Sequence, residues 1–142
     1  MKRSLVAALI LSAGVAAVQA HHSFAMFDQS QRMTLKGTVT EFQWTNPHAF
    51  IHMEVPGTDG KPELWQIELN SPNNLKRQGW KSSSVKAGDK ITLITNPLRD
   101  MSDHKGGLFI KLTRADGTEL TEAAFAGGGP VNVPTLPPAP AK

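Results

Sequence analysis

The five histidines, His21, His22, His48, His52 and His104, are the residues best suited to hold a metal ion, and all of them follow position 20. The chain has no cysteine, so thiolate sites are excluded and a transition metal would need nitrogen, oxygen or thioether ligands. If the chain is cut after Ala20, His21 becomes the first residue and carries a free α-amine beside its own imidazole. Those two nitrogens chelate one ion from a single residue. A third nitrogen from a distant histidine would complete the planar arrangement that divalent copper prefers. His22 offers a second route, through the amine, the intervening amide nitrogen and its own ring. The plain alternative is that two solvated histidines open the mature chain and bind nothing.

His48 closes the segment Trp44-Thr45-Asn46-Pro47-His48. Proline fixes φ and restricts the residue before it, so Asn46-Pro47 forms a turn that holds His48 in a set direction. The same tripeptide recurs at Thr95-Asn96-Pro97, ahead of a loop that carries His104. If the two loops flank one mouth, His48 and His104 approach it together. The expected metal ligands are therefore His21 and His48, supplemented by His22 or His104, with copper as the ion. Against this, Thr-Asn-Pro can simply end two strands, and His104, between Asp103 and Lys105, reads more readily as a solvated loop residue.

His52 shares strand parity with Phe50 and Glu54, opposite Ile51 and Met53. At about 3.3 Å of rise per residue, His48 and His52 cannot share an ion unless the chain turns between them. If the hairpin is symmetric about its turn, His52 faces Gln66 and Phe50 faces Glu68. That arrangement would give a polar, partly aromatic surface on which Trp44, Asn46, Phe50 and His52 are the expected ligand-binding residues. Met26, Met33, Met53 and Met101 lack cluster spacing and read as core or gap filling rather than as soft copper ligands. No serine lies in a nucleophile elbow and no glycine-rich loop precedes a helix, so no catalytic residue is assigned.

The elements that would position these groups are mostly strands. Thr34 to Trp44 reads as a long strand whose apolar parity shifts between Val39 and Phe42, the mark of a bulge or bend. Phe50 to Val55 and Leu64 to Leu69 alternate cleanly around a Pro/Gly turn and form a hairpin. Ser71 caps a two-turn helix that starts at Pro72 and ends at Gly79. Lys90 to Thr95 is a fourth strand, and Leu108 to Thr113 a fifth, with Leu108, Ile110 and Leu112 expected to face inward. Trp65 reads as core, and Trp80 as closing one end. This order resembles the oligonucleotide/oligosaccharide-binding (OB) fold, an all-β five-stranded Greek-key barrel with a helix between strands three and four.

The ends of the chain read differently. Lys2 and Arg3, the apolar run from Leu5 to Val18, and Val18-Gln19-Ala20 follow the pattern of a cleavable export signal. The expected division is a signal peptide over 1–20, an arm over 21–33, the barrel over 34–125, and a disordered Gly/Pro-rich tail over 126–142. The apolar run is shorter than the roughly 20 residues a membrane span needs. Losing Lys2 and Arg3 with the signal leaves 13 basic residues against 12 acidic ones, a net charge of +1. From that charge, the few aromatics and the exported location, nucleic acid is not expected as a partner. A metal ion or a periplasmic protein or saccharide is.

The motifs His21-His22-Ser23-Phe24, Trp44-Thr45-Asn46-Pro47-His48, Asn70-Ser71-Pro72, Gly79-Trp80 and Gly88-Asp89-Lys90 resemble a family of small exported proteins of Gram-negative bacteria, catalogued as a domain of unknown function. The likeness runs from about His21 to Arg114 and implies a periplasmic location. Copper follows from ligand chemistry and not from the resemblance. The expectation is a small periplasmic binding protein holding copper through the mature amino terminus, or else a metal-free module that binds a protein or saccharide. An oxidative copper enzyme acting on a polymer would want a broad aromatic platform, which a chain without tyrosine does not offer.

Overall fold

Alternating apolar residues make strands, and in the computed structural model, which describes residues 22–122, they close into a barrel. The elements are α1 (His22–Ala25), β1 (Met33–Gln43), β2 (Phe50–Pro56), β3 (Pro62–Glu68), α2 (Pro72–Arg77), β4 (Lys90–Pro97), β5 (Lys105–Arg114) and β6 (Glu119–Thr121). The sheet order is β3-β2-β1-β4-β5-β6, and a parallel pairing of β3 with β5 closes the five-stranded barrel. The architecture is all-β with one short helix between β3 and β4, as the order of elements predicts. Residues 1–21 and 123–142, and with them the expected signal and tail, lie outside the described residues, as do the side chains of His22 and Ser23.

β1 serves both halves of the barrel. Its first part pairs with β4 from Met33 to Thr38, and its second with β2 from Thr38 to Gln43. The register shifts between Val39 and Glu41, so the parity change in the sequence is a bulge. The β2–β3 hairpin has the symmetric register, with Phe50 opposite Glu68 and His52 opposite Gln66. Ile51, Met53, Trp65, Ile67 and Leu69 are buried in the barrel core with Leu35, Val39, Leu93 and Leu112. Met53 fills the core, Met33 and Met101 pack at its margin, and Met26 is exposed.

β5 departs from the expected pattern. The strand begins at Lys105, and a register irregularity opposite Ile94 and Thr95 shifts its parity. Phe109 and Leu112 therefore enter the barrel core, while Leu108 joins a separate cluster with Phe27 and Leu98. Ile110 is only partly buried. Phe24 and Met101 pack on that second cluster, which fastens the arm to the β4–β5 connection. Backbone bonds from Asp28 N–H to the Pro97 carbonyl and from Arg99 N–H to the Met26 carbonyl, at 2.8 and 2.9 Å, complete the attachment.

Ser71 caps α2, its hydroxyl accepting from the Asn74 N–H, and Pro72 occupies a first-turn position where no N–H is needed. Gly79, at φ 87°, ends the helix. Trp80 then seals one end of the core: it is buried, packs edge-on against Phe109 at 5.5 Å, and donates its indole N–H to the Thr121 carbonyl at 3.0 Å. That bond ties down β6, as do its pairing with β5 and the Lys111–Glu119 ion pair.

Just past β6, both Glu122 carboxyl oxygens face the Asn70 N–H, at 3.1 and 3.3 Å. Burial pushes this carboxyl up to about 8 from an ordinary 4.5, and the Asn70 bond opposes the rise only in part. A carboxyl whose folded pKa is raised contributes stability that is complete below its unfolded pKa and is lost as pH climbs through the folded one. Stability is therefore expected to fall between about pH 4.5 and pH 8, by an amount on the order of a few kcal/mol. Glu122→Gln should flatten that slope, since its amide carbonyl still accepts from Asn70. Urea midpoints measured across this range check the result, and an unchanged slope in the variant would refute it.

Candidate functional site

His48 sits between two elements that fix it from either side. The Asn46–Pro47 peptide before it is cis, and Ala49 after it is fully buried. Ala49 accepts from the Leu69 N–H at 2.9 Å and donates to the Asn70 carbonyl at 3.1 Å, which joins the β1–β2 loop to the end of β3. Asn70 is held in turn, its side-chain oxygen accepting from the Ser71 N–H and the Asn74 amide at 2.8 Å each. His48 is thus carried by a loop clamped to β3.

The imidazole Nδ1 lies 2.7 Å from Glu68 Oε1 and 3.2 Å from the Leu69 carbonyl. Both are acceptors, so in the neutral ring Nδ1 carries the proton and Nε2 the lone pair. A carboxylate behind an imidazole is the arrangement that fixes tautomer and ring orientation in metal-binding histidines. Glu68 is the group that sequence reading does not single out as His48's partner. Its only signal there is a place opposite Phe50.

The remaining candidates fall on both sides of this pair. His52 Nε2 lies 3.1 Å from the Gln43 side-chain oxygen, and its ring centroid lies 6.4 Å from that of Phe50. Phe50, His52, Gln66 and Glu68 therefore share the outer face of the hairpin, all partly buried. Trp44 packs edge-on against Phe42 at 5.3 Å, and Asn46 is exposed at the turn. His104 is exposed at the β4–β5 connection, its Cδ2 close to where a Cβ on Gly106 would stand. Gly106 pairs with Gln66, and two residues further on Leu108 pairs with Glu68. His48 and His104 thus sit on the same β3–β5 seam at different positions along it.

Among the described residues, no three His, Cys, Asp or Glu side chains converge on a common point. The expected ligands His21 and the side chain of His22 lie outside the described residues. The arm leads toward that seam. Phe24 packs in the cluster that contains Leu108, which is paired with Glu68.

Structures similar to this chain are crystal forms of a mitochondrial single-stranded DNA binding protein from S. cerevisiae, Rim1. One is 9% identical with a TM-score of 0.47, covering 66% of this chain and 96% of that one. A second form is 12% identical with a TM-score of 0.43 over 66% and 96%. These neighbours are single-stranded DNA binding proteins, so the expectation that excluded nucleic acid as a partner is not upheld. That exclusion drew on the expected exported location, the +1 charge left once residues 1–20 are removed and the few aromatics, whereas a barrel binds with one face, and the charge of a face is not the average over the chain. At these identities the likeness concerns the fold and assigns no ligand to this chain.

Among the described residues no helix is long and apolar enough to cross a membrane. No curated protein matches the chain. The family model that does match is described as a family of unknown function, DUF6152, and spans residues 8–111, so the chain belongs to that family.

Proposed function

We propose that this chain is a small exported binding protein that holds a copper ion between the mature amino terminus at His21 and Nε2 of His48, with Glu68 orienting the His48 ring. The observation that carries the reading is the His48–Glu68 contact of 2.7 Å, made beside the strand over which the arm packs. His21 directly precedes α1, which carries Phe24 against the cluster that contains Leu108. Adjacent strands are only about 4.8 Å apart, so the step from Leu108 to Glu68 is short. His22 and His104 are supplementary ligands. Export through cleavage after Ala20 is part of the proposal, because the free α-amine exists only after that cut.

Mature protein with an authentic His21 is expected to bind Cu(II) with a submicromolar Kd by isothermal titration. A methionine placed before His21, or His48→Ala, should weaken binding about 100-fold. Glu68→Gln should weaken it by roughly 10-fold, as loss of a carboxylate behind a metal-bound imidazole does. Equal affinity in all four proteins would remove the proposal.

A second reading rests on the Phe50–His52 contact and the flanking Gln43 and Gln66 amides. In it the chain is a metal-free module, and the outer hairpin face with Trp44 and Asn46 at its margin holds a partner. Phe50→Ala would then abolish function, and trimming His21 would leave it intact.

A further inference from the structure

Away from the His48 face, an open groove of about 570 Å³ runs between the tip of the β2–β3 hairpin and the outer side of β1, β4 and β5. Its floor is an array set by strand register: Thr38 beside Lys90 on one rung, and Lys36, Thr92 and Thr113 together on the next. Arg114 lies at one end, its guanidinium held by the Ser84 carbonyl. The opposite wall is Val55, Pro56 and Pro62, with one carboxylate, Glu54.

The two lysines of this groove are not neutralised within the fold, and Arg114 has the Asp116 carboxylate nearby. Elsewhere on the barrel Lys105 pairs with Glu63, Lys111 with Glu119 and Arg99 with Asp28. Among the described residues, Lys36 and Lys90 have no carboxylate at ion-pair distance. Three cations against one anion favour an anionic ligand, and the volume lies within the roughly 300–1,000 Å³ range of small-molecule sites. Two further features narrow the class. Three threonine hydroxyls and a carboxylate make a site rich in acceptors for ligand O–H groups, and the carboxylate disfavours a ligand that is anionic along its whole length. The lining contains no aromatic side chain on which a base would stack, while the proline and valine wall suits the apolar face of a sugar ring.

We propose that this groove binds a phosphorylated sugar. The phosphate sits against Lys36, Lys90 and Arg114, and the ring hydroxyls meet Thr38, Thr92, Thr113 and Glu54. Such a ligand can be free or can be the headgroup of a glycolipid.

The test is calorimetric titration of the full mature protein at low salt with glucose 1,6-bisphosphate, and co-sedimentation with phosphatidylcholine vesicles doped with lipid A. Binding in the first assay identifies a free ligand, and binding in the second a lipid-linked one. In either case Lys36→Gln/Lys90→Gln should weaken binding about 100-fold, near tenfold for each charged hydrogen bond removed. Both lysines are exposed, so the variant should keep the parent's melting temperature. Thr92→Val should weaken the sugar phosphate while leaving inorganic phosphate unaffected. The proposal is overturned if neither ligand binds, if inorganic phosphate binds as tightly as the sugar phosphate, if a dT oligonucleotide displaces it at equal concentration, or if the double variant binds unchanged. None of these outcomes depends on copper.

Discussion

Trp80→Ala is expected to lower stability by about 3–5 kcal/mol, the usual range for removing a buried tryptophan. Two losses combine at this position. The indole fills the end of the core between Phe109, 5.5 Å away, and Phe42, 6.3 Å away, so truncation leaves a cavity that rigid strands cannot collapse. It also removes the donor to the Thr121 carbonyl, which fastens β6. Trp80→Phe should recover most of the packing but not that bond. Its deficit should therefore concentrate in β6, visible as faster amide exchange at Leu120 and Thr121 than at Leu93 in the barrel centre. A Trp80→Ala protein with an unchanged urea midpoint would show that the end of the barrel is closed by something else.

Gly107→Ala should be nearly as damaging, at about 3 kcal/mol, although it adds a single methyl group. A Cβ at that position would stand 2.2 Å from Thr95 Oγ1 and 2.7 Å from the Asn96 carbonyl. β5 comes this close to β4 where Thr95 donates its hydroxyl to the Leu108 carbonyl at 2.7 Å. The methyl group would drive the strands apart at that bond and disturb Leu108, on which the arm packs. Thr95→Ala in the same chain removes the nearest obstacle but not the Asn96 carbonyl. The double variant should regain part of the lost stability, so the two substitutions should not be additive. Additive losses in thermal melts would show that the close approach at Gly107 is not what the methyl group disturbs.

The sequence is most legible where one residue type maps onto one face. Ile51, Met53, Trp65 and Ile67 mark the inner side of the hairpin by alternation alone, and the Pro/Gly turn between them sets the register that puts Phe50 opposite Glu68. The bulge in β1 is legible for the same reason, since a residue inserted between Val39 and Phe42 changes the parity of everything after it. β5 misleads because Gly106 and Gly107 carry no β-forming side chain, so its true start at Lys105 is hidden. Leu108, Ile110 and Leu112 then appear to share a face that the irregularity opposite Thr95 splits. β6 is three residues long and exists only through its partner, so no local pattern announces it. The contact of His48 with Glu68 depends on a loop docking against a strand 20 residues later. Sequence supplies the two groups and their faces but not the meeting.

The barrel's borders have a consequence for how copies of this chain behave together. β3 is bonded to β5 only from Trp65 to Glu68, which leaves Pro62, Glu63 and the exposed Leu64 along an open margin. Pro62 has no N–H to offer an incoming strand, and Glu63 is engaged by Lys105 at 2.6 Å. The other border, β6, is only three residues long and begins with a charged residue, Glu119. Among the described residues neither margin is long, flat and apolar enough to template strand addition, so these borders disfavour edge-to-edge association when the protein is crowded.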